Sequence, residues 1–370
     1  MSKPRICYLV SSPDGDITVN DEKLNLTLEW DPTKTTYREY FKSIEQFLMK
    51  DNLSPLISAI NIKTKKTLNI NDIKKIIIRA EKHGAISHPA SIEVFYKHSK
   101  TKFCLNVSVV NSYSVLLEKE FINIKKLNER FKFSYLPDVY LFEHIGNFSF
   151  LLEDWFEGYH EFHFTYDHNK QPYLNLWEFG NGYKRLTKEQ TKKIFKEISK
   201  ILTLYFDIED FSQINTWHNS AGDFIAKING KNIDVKLTTV REYEPFIVFK
   251  ETESKNIVIA LIYFLFNLLL IARLDKIDGI KETIWVDEFC IDPLIQGFVE
   301  ALRIKKKEST YYDLDIRIIK TLKTFRKDEL KIAHKPILEL HKKESDYKVI
   351  FNNIDEHIKN LYFSLQNYPL

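Results

Sequence analysis

The sequence predicts an α+β chain built from more than one packed unit. Runs of β-branched and aromatic residues crowd its first half, and helical periods of apolar residues fill its second. With 44% apolar and 14% aromatic residues over 370 positions, the chain has the material for a sizeable core and the length for two or three units. Taken in order, residues 5–12 and 16–20 flank a Pro-Asp-Gly turn and read as a hairpin, and Thr36 to Met49 reads as a helix. Three strand-like runs follow at 76–83, 91–98 and 102–110, joined by turn-like residues. A helix over about 116–131 places Leu117, Phe121, Ile124 and Phe131 on one face. Two more strands, at about 135–144 and 147–158, close at Gly158. Beyond that point Thr187 with Gln190 forms a capping box that opens a helix carrying Ile194, Ile198, Ile201, Leu202 and Tyr205. The Asn229-Gly230 pair then turns a hairpin within residues 222–240, and helices run to the end, the last marked by Ile350, Ile354, Ile358, Leu361 and Leu365.

Composition excludes several classes. The charge balance is 54 − 51 = +3, with no concentrated basic stripe, so a nucleic-acid partner is not expected. Cys7, Cys104 and Cys290 are odd in number and widely spaced, which fits a reducing compartment rather than a disulfide framework or a Cys-rich zinc site. The first residues lack the apolar core of a signal peptide, so a cytoplasmic protein is expected. Ile257 to Ala272 is sixteen nearly all-apolar residues. A membrane span needs about 20, and this run contains Asn267, so it reads as a helix at the centre of a large unit.

A set of short motifs is strung along residues 79–300. Gly84 to His88 stands between two strands, Asn106 ends the third strand of the group, and Glu120 lies on the helix after it. Residues 150–158 are an apolar strand that turns polar around Glu153 and Trp155 before Gly158, and residues 216–225 hold His218, Gly222 and Asp223 just ahead of the hairpin. In this element order and these motifs the chain resembles the protein kinase-like superfamily, nearest the branch of aminoglycoside and choline phosphotransferases. The resemblance covers some 220 residues.

The resemblance implies a bilobal fold that binds ATP and Mg²⁺ between a small antiparallel-sheet lobe and a larger helical lobe. It divides the chain into an N-terminal α+β extension over 1–75, a small lobe over 76–157, a helical lobe over 158–304 and a C-terminal helical extension over 305–370. It implies a phosphate-covering loop at Gly84 and Ser87, whose backbone N–H groups would face an anion, and a phosphate-pairing position at Asn106. A lysine is usual there, and an amide carries no full charge. Lys102 and Lys97 are near enough in sequence to substitute. Glu120 matches the glutamate that pairs with that lysine, and Glu153 and Trp155 fall in the hinge that would hold adenine.

Two registers of the catalytic loop stay open. In one, Asp223 is the base for a substrate hydroxyl. In the other, Asp223 is a metal ligand and His218 stands where the catalytic acid belongs, as a general base. Asp234 is the only acid on the return strand and would be the second metal ligand. Lys227, Lys236 and Arg241 would supply the cation that Asn106 lacks. Asp287, Glu288 and Asp292 would make an acidic mouth for a cationic substrate.

The expected activity is therefore phosphate transfer from ATP to a small-molecule hydroxyl. The alternative is a kinase-like module without catalysis that binds a nucleotide or none and meets a protein partner through its C-terminal helices. A third expectation is a metal site at His160, His163 and His168 beside Glu161 and Asp167. The two nearer histidines would share a face on a helix but not on a strand.

Overall fold

The structure, a computed structural model, describes residues 4–12, 14–29, 31–81, 87–109, 111–215, 217–218, 222–249, 254–279, 281–306 and 313–369. The chain is mixed α+β and divides into two units, residues 1–157 with 178–182, and residues 158–177 with 183–370.

The first unit holds strands β1 (Arg5–Ser12) and β2 (Gly15–Thr18), helices α1 (Asp21–Leu24), α2 (Tyr37–Met49) and α3 (Ser54–Thr64), then strands β3 (Ile73–Ala80), β4 (Ala90–Tyr96) and β5 (Ser99–Ser108). Helix α4 (Asn111–Arg130) and strands β6 (Val139–Ile145) and β7 (Phe148–Asp154) complete it. All seven strands form one sheet in the order β2-β1-β3-β4-β5-β7-β6. Strand β1 runs parallel to β3, from Arg5 opposite Lys75 to Val10 opposite Ala80. Residues 1–75, which the sequence set apart as an extension, thus share their sheet with residues 76–157.

Alternation on β5 sorts the two faces. Phe103, Leu105 and Val107 are fully buried against Tyr40, Phe41, Ile44 and Phe47 of α2 and Ile60 of α3. Lys102, Cys104 and Asn106 point the other way and are half-buried. Helix α4 buries Leu117, Glu120, Ile124 and Leu127. Helix α2 starts where expected, because Thr36 closes a capping box with Glu39: the Glu39 N–H reaches Thr36 Oγ1 at 3.2 Å, and the Thr36 N–H reaches Glu39 Oε2 at 2.8 Å.

The second unit opens with β8 (His160–Tyr166), β9 (Pro172–Glu178) and β10 (Gly182–Arg185), followed by α5 (Lys188–Leu204), which Thr187 caps as expected. Strand β11 (Ser212–Asn215) leads to the hairpin β12 (Phe224–Asn229) and β13 (Asn232–Leu237), then β14 (Glu242–Pro245). Helix α6 (Ser254–Ile271), strands β15 (Leu274–Lys276) and β16 (Thr283–Trp285), and helices α7 (Ile291–Lys306), α8 (Leu314–Thr324), α9 (Lys327–His341) and α10 (Tyr347–Asn367) finish the chain. The hairpin joins a five-stranded sheet in the order β10-β9-β8-β12-β13, and β11 pairs with β14.

The apolar run at 257–272 is α6, with Leu261, Leu265, Phe266 and Leu269 fully buried. Among the described residues no helix is long and apolar enough to cross a membrane. Helices α5 and α7 cross closely at Gly297, where an added Cβ would lie 2.1 Å from the Lys196 carbonyl oxygen.

Candidate functional site

In the first unit the expected phosphate-pairing position is a neutral hydrogen-bond partner. The Asn106 amide donates to Glu153 Oε1 at 2.9 Å, across the register that sets β5 against β7. The Cys104 thiol leans on Asn106 Oδ1 at 3.9 Å. Glu153 is 3% exposed, and its second oxygen is buried with no partner among the described residues. Burial first, and the charge of Glu120 second, push its carboxyl well above the usual carboxylate range. Glu120, expected to face a lysine, therefore faces another acid. Burial and the same acids also push the Cys104 thiol up.

The two substitute lysines are occupied elsewhere. The Lys102 ammonium lies 3.7 Å from the centre of the Trp155 ring, and burial pulls its pKa down. It stands four residues before Asn106, about 13 Å along the strand. Lys97 sits in the turn between β4 and β5 and pairs with Asp72 at 3.3 Å. Trp155, expected to hold adenine, instead covers Lys102. Of the expected phosphate-covering loop, Gly84 lies outside the described residues and Ser87 is half-buried.

In the second unit one carboxylate is held from three directions. Asp223 is 1% exposed. Its Oδ1 accepts from Arg241 Nη2 at 2.6 Å, and its Oδ2 accepts from Arg241 Nη1 at 2.7 Å and from the His218 backbone N–H at 2.9 Å. This is the fork-to-fork geometry in which guanidinium and carboxylate bind most firmly. The hairpin builds it. Gly222 turns at φ +77° with the Glu161 carboxylate against it, and Asp223 passes directly into β12. The return strand ends opposite, where the Thr238 N–H donates to the Asp223 carbonyl at 2.8 Å and Thr238 Oγ1 donates to the Gly222 carbonyl at 2.7 Å. Arg241 follows three residues later.

The structure does not bring the expected metal pair together. Asp234 faces Lys227 across the hairpin, whereas Phe224, next to Asp223, faces Leu237. The two acids are thus set about 13 Å apart along the ribbon. Asp234 accepts from the Tyr159 hydroxyl at 2.6 Å and lies 3.7 Å from Lys236. Both Lys236 and Lys227 stand over the Tyr159 ring, 5.6 Å from its centre. The His218 residue is exposed, and its contact with Asp223 is through the main chain.

His160 and His163 fall on opposite faces of β8, which is a strand, and His168 lies in the turn after it, bonded to Asn169. Among the described residues no group of three or more His, Cys, Asp or Glu side chains is placed to hold a metal ion. Asp287, Glu288 and Asp292 are exposed.

Arg241 is the residue whose role sequence reasoning misplaced. It was a candidate cation for phosphate, and the structure commits it to Asp223. Its only signal was a lone arginine shortly after a hairpin whose first residue is preceded by an aspartate. No protein-family model matches the chain, and no curated protein matches it.

Proposed function

We propose that the chain is a kinase-like module that has lost phosphoryl transfer and acts by binding. Part of its element order supports the kinase-like part of the reading: three antiparallel strands, helix α4 and two returning strands, then, after the added strands β8, β9 and β10, helix α5, a hairpin and an apolar helix. The observation that carries the loss of transfer is the state of Asp223. Transfer of a phosphoryl group rests on metal ions held by carboxylate and amide oxygens and on a lysine at the phosphates. Both oxygens of Asp223 are engaged by Arg241, the opposite strand offers Thr238 instead of an acid, and Asn106 stands in the lysine position. A divalent ion would have to displace a guanidinium from an almost fully buried carboxylate.

The regulatory reading needs a partner surface. The C-terminal helices expose Ile332 and Leu340, eight residues apart on α9, and Phe351 and Phe363 on α10.

Thermal unfolding with millimolar ATP, ADP and GTP, in Mg²⁺ and in EDTA, tests the reading beside a turnover assay on small-molecule alcohols. The expected result is no phosphate transfer, and a melting temperature that is the same in Mg²⁺ as in EDTA for each nucleotide. A magnesium-dependent rise that disappears in Asp223→Ala, or measurable transfer, would overturn the proposal and restore the phosphotransferase reading.

A further inference from the structure

Far along the chain from the residues above, helices α9 and α10 meet α6 and β16 around three buried basic side chains. Arg273 is 2% exposed, and His334 and His357 are 0% exposed. Their hydrogen bonds fix where the ring protons sit. His334 Nδ1 lies 2.7 Å from the Leu330 carbonyl, which can only accept, so Nδ1 carries the proton and Nε2 is bare. Arg273 Nη1 lies 3.1 Å from His357 Nδ1, and a guanidinium can only donate, so His357 carries its proton on Nε2. Neither Nε2 has a hydrogen-bond partner among the described residues. The two rings meet edge to face, 5.6 Å between centres. His334 stacks on Phe266 of α6 at 4.4 Å, while Arg273 lies 4.4 Å over Trp285 of β16 and donates to the Val286 carbonyl at 2.7 Å.

Among the described residues, nothing in this set offers a hydrogen-bond acceptor or an anion to a proton added to either ring. The charge nearest His357 is the Arg273 cation, in direct contact. The acids that act on Arg273 are Asp287 and Glu288 before α7 and Glu356 on α10, together with the Cys290 thiol, and none of them bonds to either imidazole. On α7 and α8, which also touch α10, Arg303 is paired with Asp315. A third histidine, on α9, differs. His341 places Nε2 at 2.7 Å from Asn267 Oδ1 of α6 and Nδ1 at 2.8 Å from Glu344 Oε2, so both ring nitrogens face acceptors and a proton there loses no hydrogen bond.

We propose that Arg273, His357 and His334 form an acid-release latch: neutral imidazoles hold α9 and α10 against α6 and β16, and the protons they take up as pH falls are accommodated only when those helices detach. The direction of the effect agrees with the environment. Burial pulls His334 down to about 4, and burial, His334 and Arg273 pull His357 well below the usual value of 6.5. The detached helices bind protons below about 6.5 and the packed ones do not, so packing stability is complete above that pH and is lost as pH falls toward 4. Each histidine that takes a proton on opening raises the opening equilibrium by up to about tenfold per unit of pH.

Hydrogen exchange on the full chain between pH 7.5 and 4.5, corrected for intrinsic rates, reads the latch directly. Amides of α9 and α10 are expected to open first and most steeply, ahead of α5 and α7 in the same unit. Thermal unfolding over the same range supplies a second readout. His334→Phe keeps the ring stacked on Phe266 without the titrating nitrogen, so its melting temperature should fall less between pH 6.5 and 4.5. Exchange in α9 and α10 that rises no earlier than in α5 and α7 would overturn the latch in the wild-type chain alone. So would a pH slope that is the same in His334→Phe and His357→Asn as in the wild type.

Discussion

The two units dispose of the same kind of problem, a buried carboxylate, in opposite ways. On the sheet of the first unit, Glu153 faces Asn106 and Glu120 with no ion pair among the described residues, and its environment favours the neutral acid. In the loop before β12 of the second unit, Asp223 is as deeply buried but ionically matched, gripped by both arms of Arg241. An acid in a low-dielectric place can be kept either by adding a proton or by adding a counter-ion, and the two solutions respond differently to mutation. A site discharged by a proton is indifferent to an amide in its place. A site balanced by a guanidinium fails when that guanidinium is removed.

The largest expected effect is therefore at Arg241. Arg241→Met leaves Asp223 buried and unpaired, and breaking such a pair from one side costs about 3–5 kcal/mol. Urea unfolding should register the loss. Asp223→Asn in the same chain removes the orphaned charge, so the double variant should recover a good part of it. If the two single changes simply add, the ion pair is not the element that holds the loop.

How far this was legible in the sequence differs between the elements and the site. Helices with one apolar stripe and a capping residue were readable from local signals, as at Thr36, Thr187 and the repeat from Ile350 to Leu365. The hairpin at Asn229-Gly230 was readable because Gly230 adopts φ +60° as the second residue of a tight turn. Helix α3 carries no such signal. It buries Leu56, Ala59 and Ile60 but leaves Ile62 64% exposed, so its apolar residues do not fall in a single stripe. The parallel pairing of β1 with β3 links residues about seventy positions apart, and no local pattern encodes it. The same limit applies to the site. Asp223, Asn106 and Glu153 could be picked out individually, but the partner of each is set by a register, β12 against β13 or β5 against β7. Asp234 shows the cost: an acid on the correct strand, about two residues ahead of the position it was expected to fill.

A smaller effect is expected at Asn106. Asn106→Ala removes the donor to Glu153 Oε1 and leaves both oxygens of that carboxyl without the amide. An unsatisfied buried polar group costs about 1–3 kcal/mol. Asn106→Asp should cost more than Asn106→Ala, because it sets a third acid beside Glu153 and Glu120. If Asn106→Asp is tolerated better, a cation that the contacts above do not include must stand near this face.

The smallest effect at neutral pH, and the sharpest contrast with Asp223, is at Glu153. Its folded-state pKa is raised above the ordinary 4.5, first by burial and then by Glu120. Its contribution to stability is thus complete below about pH 4.5 and is lost as pH rises through the folded value, the reverse of the histidine latch in the second unit. Glu153→Gln keeps the shape and the acceptor for Asn106 while removing the proton that can be lost, so it should change the melting temperature little near pH 5 and reduce the fall toward alkaline pH. At Asp223 the same exchange of acid for amide should be costly at neutral pH, since it removes the carboxylate that accepts from both Arg241 nitrogens. An Asp223→Asn variant no less stable than Glu153→Gln would mean that both acids are held neutral, and the distinction between the two units would fail.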